Sequence, residues 1–164
     1  MWHQQEYIEL KKILMMTKEI FLLLNLVVAF YNVGTIWAIE VDIFRTWRLV
    51  DAKSFHTVQS THWKKLTYWV FIPVGLSFIG SIILFWYHPL KIPIWEIGLA
   101  FSFQFFSHVL TAIFWGQWQA KLSHDNLGSA SPWLIKILKT HWIRTALINA
   151  YGFMLLCITI QSLS

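Results

Sequence analysis

The third long apolar stretch, Ile94–Trp118, decides the fold of this chain: IWEIGLAFSFQFFSHVLTAIFWGQW. Its length of about 25 residues is enough for a helix that crosses the hydrocarbon core of a bilayer. Gln104, His108 and Thr111 follow one another at helical spacings of four and three, so they share one face of that helix. A histidine inside a membrane helix is costly to leave in lipid. We therefore expect His108 to be packed against polar partners or used in a reaction.

The composition also indicates a membrane protein. Hydrophobic residues make up 57% of the chain and charged residues only 13%, whereas soluble domains carry roughly 25% charged residues. The 11 tryptophans and 5 tyrosines are typical of the interface between bilayer and water. The net charge of +5 comes from Lys and Arg spread between apolar stretches, which predicts contact with anionic lipid head groups and not with nucleic acid.

Three further apolar stretches complete the predicted architecture. Spans are expected at about 20–39, 66–86, 94–116 and 146–163. The sequence thus predicts an all-α fold, a single membrane domain over residues 1–164 that forms an integral membrane four-helix bundle with an amphipathic N-terminal segment. Pro73 should kink the second span, and a neighbouring group should then bond the carbonyl that the proline leaves free.

The distribution of positive charge predicts the orientation. Nine of the 13 Lys and Arg residues lie in the connections 40–65 and 117–145. The positive-inside rule therefore places these long connections in the cytoplasm and both termini outside.

Polar residues from several spans are predicted to meet in the cytoplasmic half of the bundle. Counted from that end at about 1.5 Å per residue, Asn32, His108 and Asn149 share a level roughly 12 Å deep. The mouth of this pocket would be formed by charged and titratable residues near the ends of the spans: Glu40, His56, His62, His141 and Arg144. The catalytic candidates are His62, His108, His141 and Arg144. The candidates for substrate binding are Asn32, Trp63, Trp115, Trp142 and Asn149.

Histidine can act as acid or base near neutral pH, and arginine can hold an oxyanion. The simpler alternative is that these polar groups only bond helices to one another, as they often do in membranes. A metal or haem is a further alternative, and the cofactor stays unknown because the chain has no metalloprotease spacing and no His-rich tract. The metal-ligand candidates are Glu40, His56, His62, His108 and His141.

Several stretches carry a family resemblance. They are Phe44-Arg45-Thr46-Trp47-Arg48, Phe55-His56, His62-Trp63, Val70-Phe71-Ile72-Pro73, the segment from Thr111 to Leu122, and His141-Trp142-Ile143-Arg144-Thr145. In these the chain resembles the anthrone oxygenase-like family, small four-span membrane proteins of mostly unknown function. Fungal members are similar to enzymes that add oxygen to an anthrone to give an anthraquinone, without an established cofactor. The resemblance implies a site at His56, His62, Trp63, Trp142, Arg144 and Thr145.

Two hypotheses about function follow. The first is an oxidoreductase that acts on a lipophilic, quinone-like or polycyclic substrate, with His108 or His62 as the base and Arg144 holding the oxyanion. The second is a non-catalytic membrane subunit or a protein that binds a small molecule or cofactor. In both hypotheses the protein lies in the lipid bilayer. Both are compatible with a homo-oligomer and with a partner membrane chain. A transporter is a weaker third class, because four spans without a repeat would need oligomerisation to form a path.

Overall fold

The computed structural model describes residues 2–164, without the side chains of Trp2, His3 and Thr67, and this part of the chain is built from four long helices. Helix α1 comprises Trp2–Ala38, a π-helical segment Ile39–Ile43 and a last turn Phe44–Trp47. Helix α2 comprises Ala52–Leu66, a π-helical segment Thr67–Phe71 and Ile72–Leu84. Helix α3 comprises Ile94–Leu110, a π-helical segment Thr111–Trp115 and Gly116–Leu122. Helix α4 is Pro132–Leu163.

All four helices are long and apolar enough to cross a membrane. The shortest, α3, has 29 residues, whereas about 20 are needed. Large apolar side chains such as Leu24, Val27, Leu76, Phe106 and Phe153 are exposed on the outer faces, where only lipid can cover them favourably. The chain is therefore an all-α, multi-pass integral membrane protein. The predicted N-terminal amphipathic segment is helical and continuous with α1.

Each helix packs against two neighbours, so the four helices close into a ring. Helix α4 packs along α1 and α3, and α2 packs along the same two helices from the other side. One apolar core, which includes Leu22, Ile97 and Leu155, lies at the end of the bundle where the α2–α3 connection and the C-terminal part of α4 meet. A second core, which includes Phe55 and Ile137, fills the opposite end. Ile39 and Val70, from two of the π-helical segments, belong to this second core.

The connection between α3 and α4 is held by specific local geometry. It contains a short 3₁₀ turn, Gly128–Ala130. Gly128 has a φ of 55°, and a Cβ there would come within 2.7 Å of the Cα of Ala52, so only glycine fits. Ser131 then caps α4 by accepting a hydrogen bond from the backbone N–H of Trp133 at 3.2 Å, and Pro132 occupies the first turn, where its missing N–H costs nothing.

Pro73 is accommodated as the sequence suggested, by a bond from another helix. It lies directly after the π-helical segment of α2, at the start of Ile72–Leu84. The carbonyl of Trp69, four residues before the proline, accepts a hydrogen bond from the hydroxyl of Tyr31 on α1 at 2.9 Å. The amide of Asn32 lies 3.5 Å from the carbonyl of Pro73 itself. The break in α2 is thus stabilised by two consecutive residues of α1.

A buried polar network joins three helices below this level. The hydroxyl of Tyr151 on α4 lies 2.7 Å from that of Ser81 and 3.2 Å from that of Ser77 on α2. Gln104 on α3 donates to the Ser77 hydroxyl at 2.9 Å. These side chains bond helices to one another, as polar side chains in membrane bundles often do.

Candidate functional site

A cavity of about 260 Å³ lies inside the ring, at the level of the three π-helical segments. All four helices line it, and its accessible surface is mainly apolar, with Ile36, Ile39, Val70, Val74 and Ile148 among the contributing residues. Six of the 14 lining residues are polar: Asn32, Thr35, Ser107, His108, Thr111 and Arg144. An apolar cavity with a few convergent polar groups is the usual form of a small-molecule site. Since a cavity of about 150 Å³ holds benzene, this one has room for a larger aromatic molecule.

His108 lines this cavity and has a nitrogen lone pair without a partner among the described residues. Its Nδ1 lies 2.7 Å from the backbone carbonyl oxygen of Gln104. A carbonyl can only accept, so Nδ1 must carry the hydrogen, and the neutral ring then has its lone pair on Nε2. Nε2 is buried and has no hydrogen-bond partner within residues 2–164 as described. The ring of Phe78, 4.8 Å away between centroids, holds the imidazole from the side. A ligand proton donor is the natural partner for this nitrogen.

Arg144 lines the same cavity from α4, and it is only partly exposed. Among the described residues, no carboxylate oxygen lies within 4.0 Å of its guanidinium, and the guanidinium takes part in no hydrogen bond. A cationic side chain kept inside an apolar bundle without a counter-ion is costly. A ligand that brings an oxyanion or a carbonyl oxygen would relieve that cost.

The third polar group is Asn32. Its amide nitrogen is directed to the carbonyl of Pro73, while its Oδ1 is buried without a partner in the described structure. Asn32 therefore has an unpartnered acceptor in the wall of the cavity, on the same side chain that contacts the break in α2. The residues that line the cavity thus include two with a buried acceptor, His108 and Asn32, and one cation, Arg144.

A smaller cavity of about 60 Å³ adjoins the first. Both cavities are lined by Ile39, Val70, Phe71, Thr111, Gly116 and Arg144. The smaller one is also lined by His62, Trp63, Trp115 and His141. Trp63 stacks on Phe71 with 5.7 Å between ring centroids, and Trp115 donates from Nε1 to the Thr140 hydroxyl at 2.9 Å. Two catalytic candidates, His62 and His141, thus lie in the second chamber and not beside His108.

His141 is held by a carboxylate. Its Nδ1 lies 2.8 Å from Oε2 of Glu40, in the π-helical segment of α1. Glu40 also lies 3.9 Å from Arg45. The His141 ring is 1% exposed and packs edge-on against Phe44 at 4.6 Å between centroids.

Three further sequence candidates lie outside both cavities. Asn149 accepts a hydrogen bond from Trp37 Nε1 at 3.1 Å and donates to the carbonyl of Thr145. Trp142 is 60% exposed on the outer surface of α4. His56 lines a surface groove with His124 and Asp125 beside the α3–α4 connection. Of the positions implied by the family resemblance, Thr145 is buried and lies 3.4 Å from the carbonyl of His141.

The metal-ligand candidates are dispersed. In the part of the chain that the structure describes, no three His, Cys, Asp or Glu side chains are close enough to hold one metal ion. Glu40 and His141 are paired, His62 lies across the smaller cavity, His108 lines the larger one, and His56 is elsewhere. We therefore assign no chemical step to a metal ion.

Sequence reasoning missed several lining residues, among them Thr35, Phe71 and Ser107. Ser107 carries a weak sequence signal, because it directly precedes His108. Phe71 carries none as an apolar residue in an apolar span. The π-helical segments also leave no recognisable pattern, although such segments are frequent at functional sites.

Comparison with models of known protein families, with curated proteins and with solved structures found no significant match to this chain.

Proposed function

We propose that this membrane protein binds a lipophilic aromatic molecule with an acidic phenol or an enolisable carbonyl, and that it oxidises that molecule. The observation that carries the proposal is that His108 and Arg144 line one apolar cavity. In the described structure Nε2 of His108 has no hydrogen-bond partner, and Arg144 forms no ion pair. A base and a cation that face one small apolar volume suit the formation and stabilisation of an organic anion.

His108 and Arg144 each have one role in the proposed reaction. His108 Nε2 takes a proton from the phenol or from an activated C–H bond, and Arg144 holds the resulting oxyanion. Dioxygen, the co-substrate, then accepts four electrons. For an anthrone, one oxygen atom becomes the new carbonyl and the other leaves as water with the two hydrogens of the oxidised carbon. The resemblance to anthrone oxygenase-like proteins supports this choice of substrate class.

Entry from the lipid phase fits the same geometry. Phe71 on α2 is 41% exposed, and Ala112 on α3 is exposed as well, yet both line the larger cavity. The cavity therefore reaches the lipid-facing surface between α2 and α3. A substrate dissolved in the bilayer could enter there without crossing water.

The first prediction concerns turnover. The protein in lipid nanodiscs is given a hydroxyanthrone in air, while the anthraquinone absorbance and dioxygen consumption are followed. Loss of the base in His108→Ala should reduce turnover at least about 100-fold, the usual contribution of a positioned base. Arg144→Gln should reduce it similarly, because the oxyanion loses its cation.

Matched controls are available for both variants. His88 also bonds the carbonyl four residues before it, that of Leu84 at 3.0 Å, but it does not line the cavity, so His88→Ala should keep full turnover. Arg48 is exposed at the end of α1, and Arg48→Gln should behave like the wild type. Full turnover in His108→Ala would contradict the assignment. Binding without dioxygen consumption in the wild type would instead identify a non-catalytic binding protein.

A further inference from the structure

The proposed chemistry needs a path by which protons reach and leave the apolar larger cavity, and the smaller cavity lies next to it. His141 lines this cavity and is 1% exposed. Because its Nδ1 faces the Glu40 carboxylate, which can only accept, Nδ1 carries the hydrogen and the neutral ring has its lone pair on Nε2. Nε2 of His141 and Nε2 of His62 are both buried without a partner among the described residues.

The polar side chains of His62, Gln119, His141 and Arg144 line this cavity of about 60 Å³. Its volume exceeds the roughly 10–15 Å³ that one water needs. Arg144 and five other residues line both cavities. Water in the smaller cavity would therefore lie next to the chamber of His108.

The opposite side of the His141–Glu40 pair reaches the protein surface. The Glu40 side chain is 15% exposed, and Arg45, 3.9 Å from it, is 63% exposed. The pair thus has one end at a buried cavity and the other end at the surface. The charged and titratable groups around it are Arg45 on α1, His62 on α2 and Arg144 on α4.

We propose that the smaller cavity holds water and that, together with His141 and Glu40, it forms the path by which protons pass between the larger cavity and the aqueous phase. The inference rests on the proposed function. A proton taken by His108 passes through the water to Nε2 of His141, where an N–H bond forms. The Nδ1–H bond breaks as its proton moves to Oε2 of Glu40, which releases it to bulk water. The same steps in reverse supply protons to reduced dioxygen and return the hydrogen of the ring to Nδ1, which restores the starting hydrogen bond.

The second prediction tests this path with 2-hydroxyanthraquinone, a phenol whose visible absorbance changes when it ionises. Mixed with the wild-type protein in nanodiscs, the probe should bind as the phenolate, and the rate at which its proton appears in bulk water is measured by stopped flow with a pH-indicator dye. Glu40→Gln keeps an acceptor for Nδ1 but removes the group that can carry the proton. It should slow proton release at least tenfold, while the dissociation constant of the probe changes less than threefold. Asp42→Asn, in the same π-helical segment but outside the path, is the matched control and should match the wild type.

Equal rates for Glu40→Gln and the wild type would overturn the path while leaving the proposed function intact. Failure of the wild type to bind the probe would overturn the proposed function and the path with it. A second measurement does not depend on any variant at Glu40. In ¹⁵N-histidine-labelled wild-type protein, with His141→Asn used to assign the signal, His141 should carry its proton on Nδ1. A resting ring with the proton on Nε2 would contradict the path.

Discussion

At Gly80 the bundle leaves no room for a side chain. A Cβ at this position on α2 would overlap Oδ1 of Asn25 on α1, and Asn25 is fixed in turn by a bond from its amide to the carbonyl of Phe21 at 2.9 Å. The close approach of the two helices therefore depends on glycine at one position and a buried amide opposite it. Small residues of this kind let membrane helices approach closely.

The third prediction follows from this contact. Gly80→Ala should lower the free energy of unfolding by about 1–3 kcal/mol, the usual cost of overpacking, measured by denaturation in mixed micelles. Gly98→Ala is the matched control, because nothing lies within 4 Å of a Cβ at Gly98. It should be neutral or slightly stabilising, since alanine favours the helix. Equal destabilisation by both substitutions would show that the Asn25 contact has no special role.

For single residues, the sequence predicted how deep each one lies in the bundle better than which neighbour its side chain faces. Counting residues placed Asn32, His108 and Asn149 at one level. Asn32 and His108 do line one cavity, whereas Asn149 is bonded to Trp37. The rise of a helix fixes how deep a residue lies, but its rotation toward a neighbour depends on packing that no single helix encodes.

Among the elements, the π-helical segments position the site. Each of α1, α2 and α3 contains one such segment, and Ile39, Val70, Phe71, Thr111 and Ala112 from these segments line the larger cavity. A π-helical turn takes up an extra residue and so rotates all residues beyond it relative to an unbroken α-helix. None of the three segments has a recognisable sequence pattern, and Pro73 predicted only a kink beside one of them. The spans were therefore predictable, whereas the composition of the cavity wall was not.

The fourth prediction concerns the break in α2. The Tyr31 hydroxyl bonds the carbonyl of Trp69, which Pro73 leaves without its usual donor. Tyr31→Phe should therefore cost about 0.6–1.7 kcal/mol, the range for hydrogen bonds between membrane helices. In the background of Pro73→Ala the same substitution should cost less, because the restored N–H can serve that carbonyl. Additive effects in this double-mutant cycle would contradict the compensation.

For the whole molecule, the positive-inside rule predicts that the Glu40 end of the bundle faces the cytoplasm. The fifth prediction tests this by labelling with a membrane-impermeant maleimide in intact cells, in a Cys157→Ser background. Leu90→Cys, in the short α2–α3 connection where Leu90 is 71% exposed, should be labelled. His124→Cys, in the α3–α4 connection, should react only after the membrane is opened. The reverse pattern would invert the orientation.

His108 and Arg144 are proposed to bind one aromatic anion together inside the bundle. The most direct measurement is equilibrium binding of 2-hydroxyanthraquinone to the protein in nanodiscs, followed by its visible spectrum. The wild type should bind one phenolate per chain, and His108→Asn and Arg144→Gln should each weaken binding by about 10–100-fold, the equivalent of roughly 1.5–3 kcal/mol for a hydrogen bond to a charged group. Unchanged affinity and an unionised probe in both variants, with His88→Ala as the control, would contradict the claim.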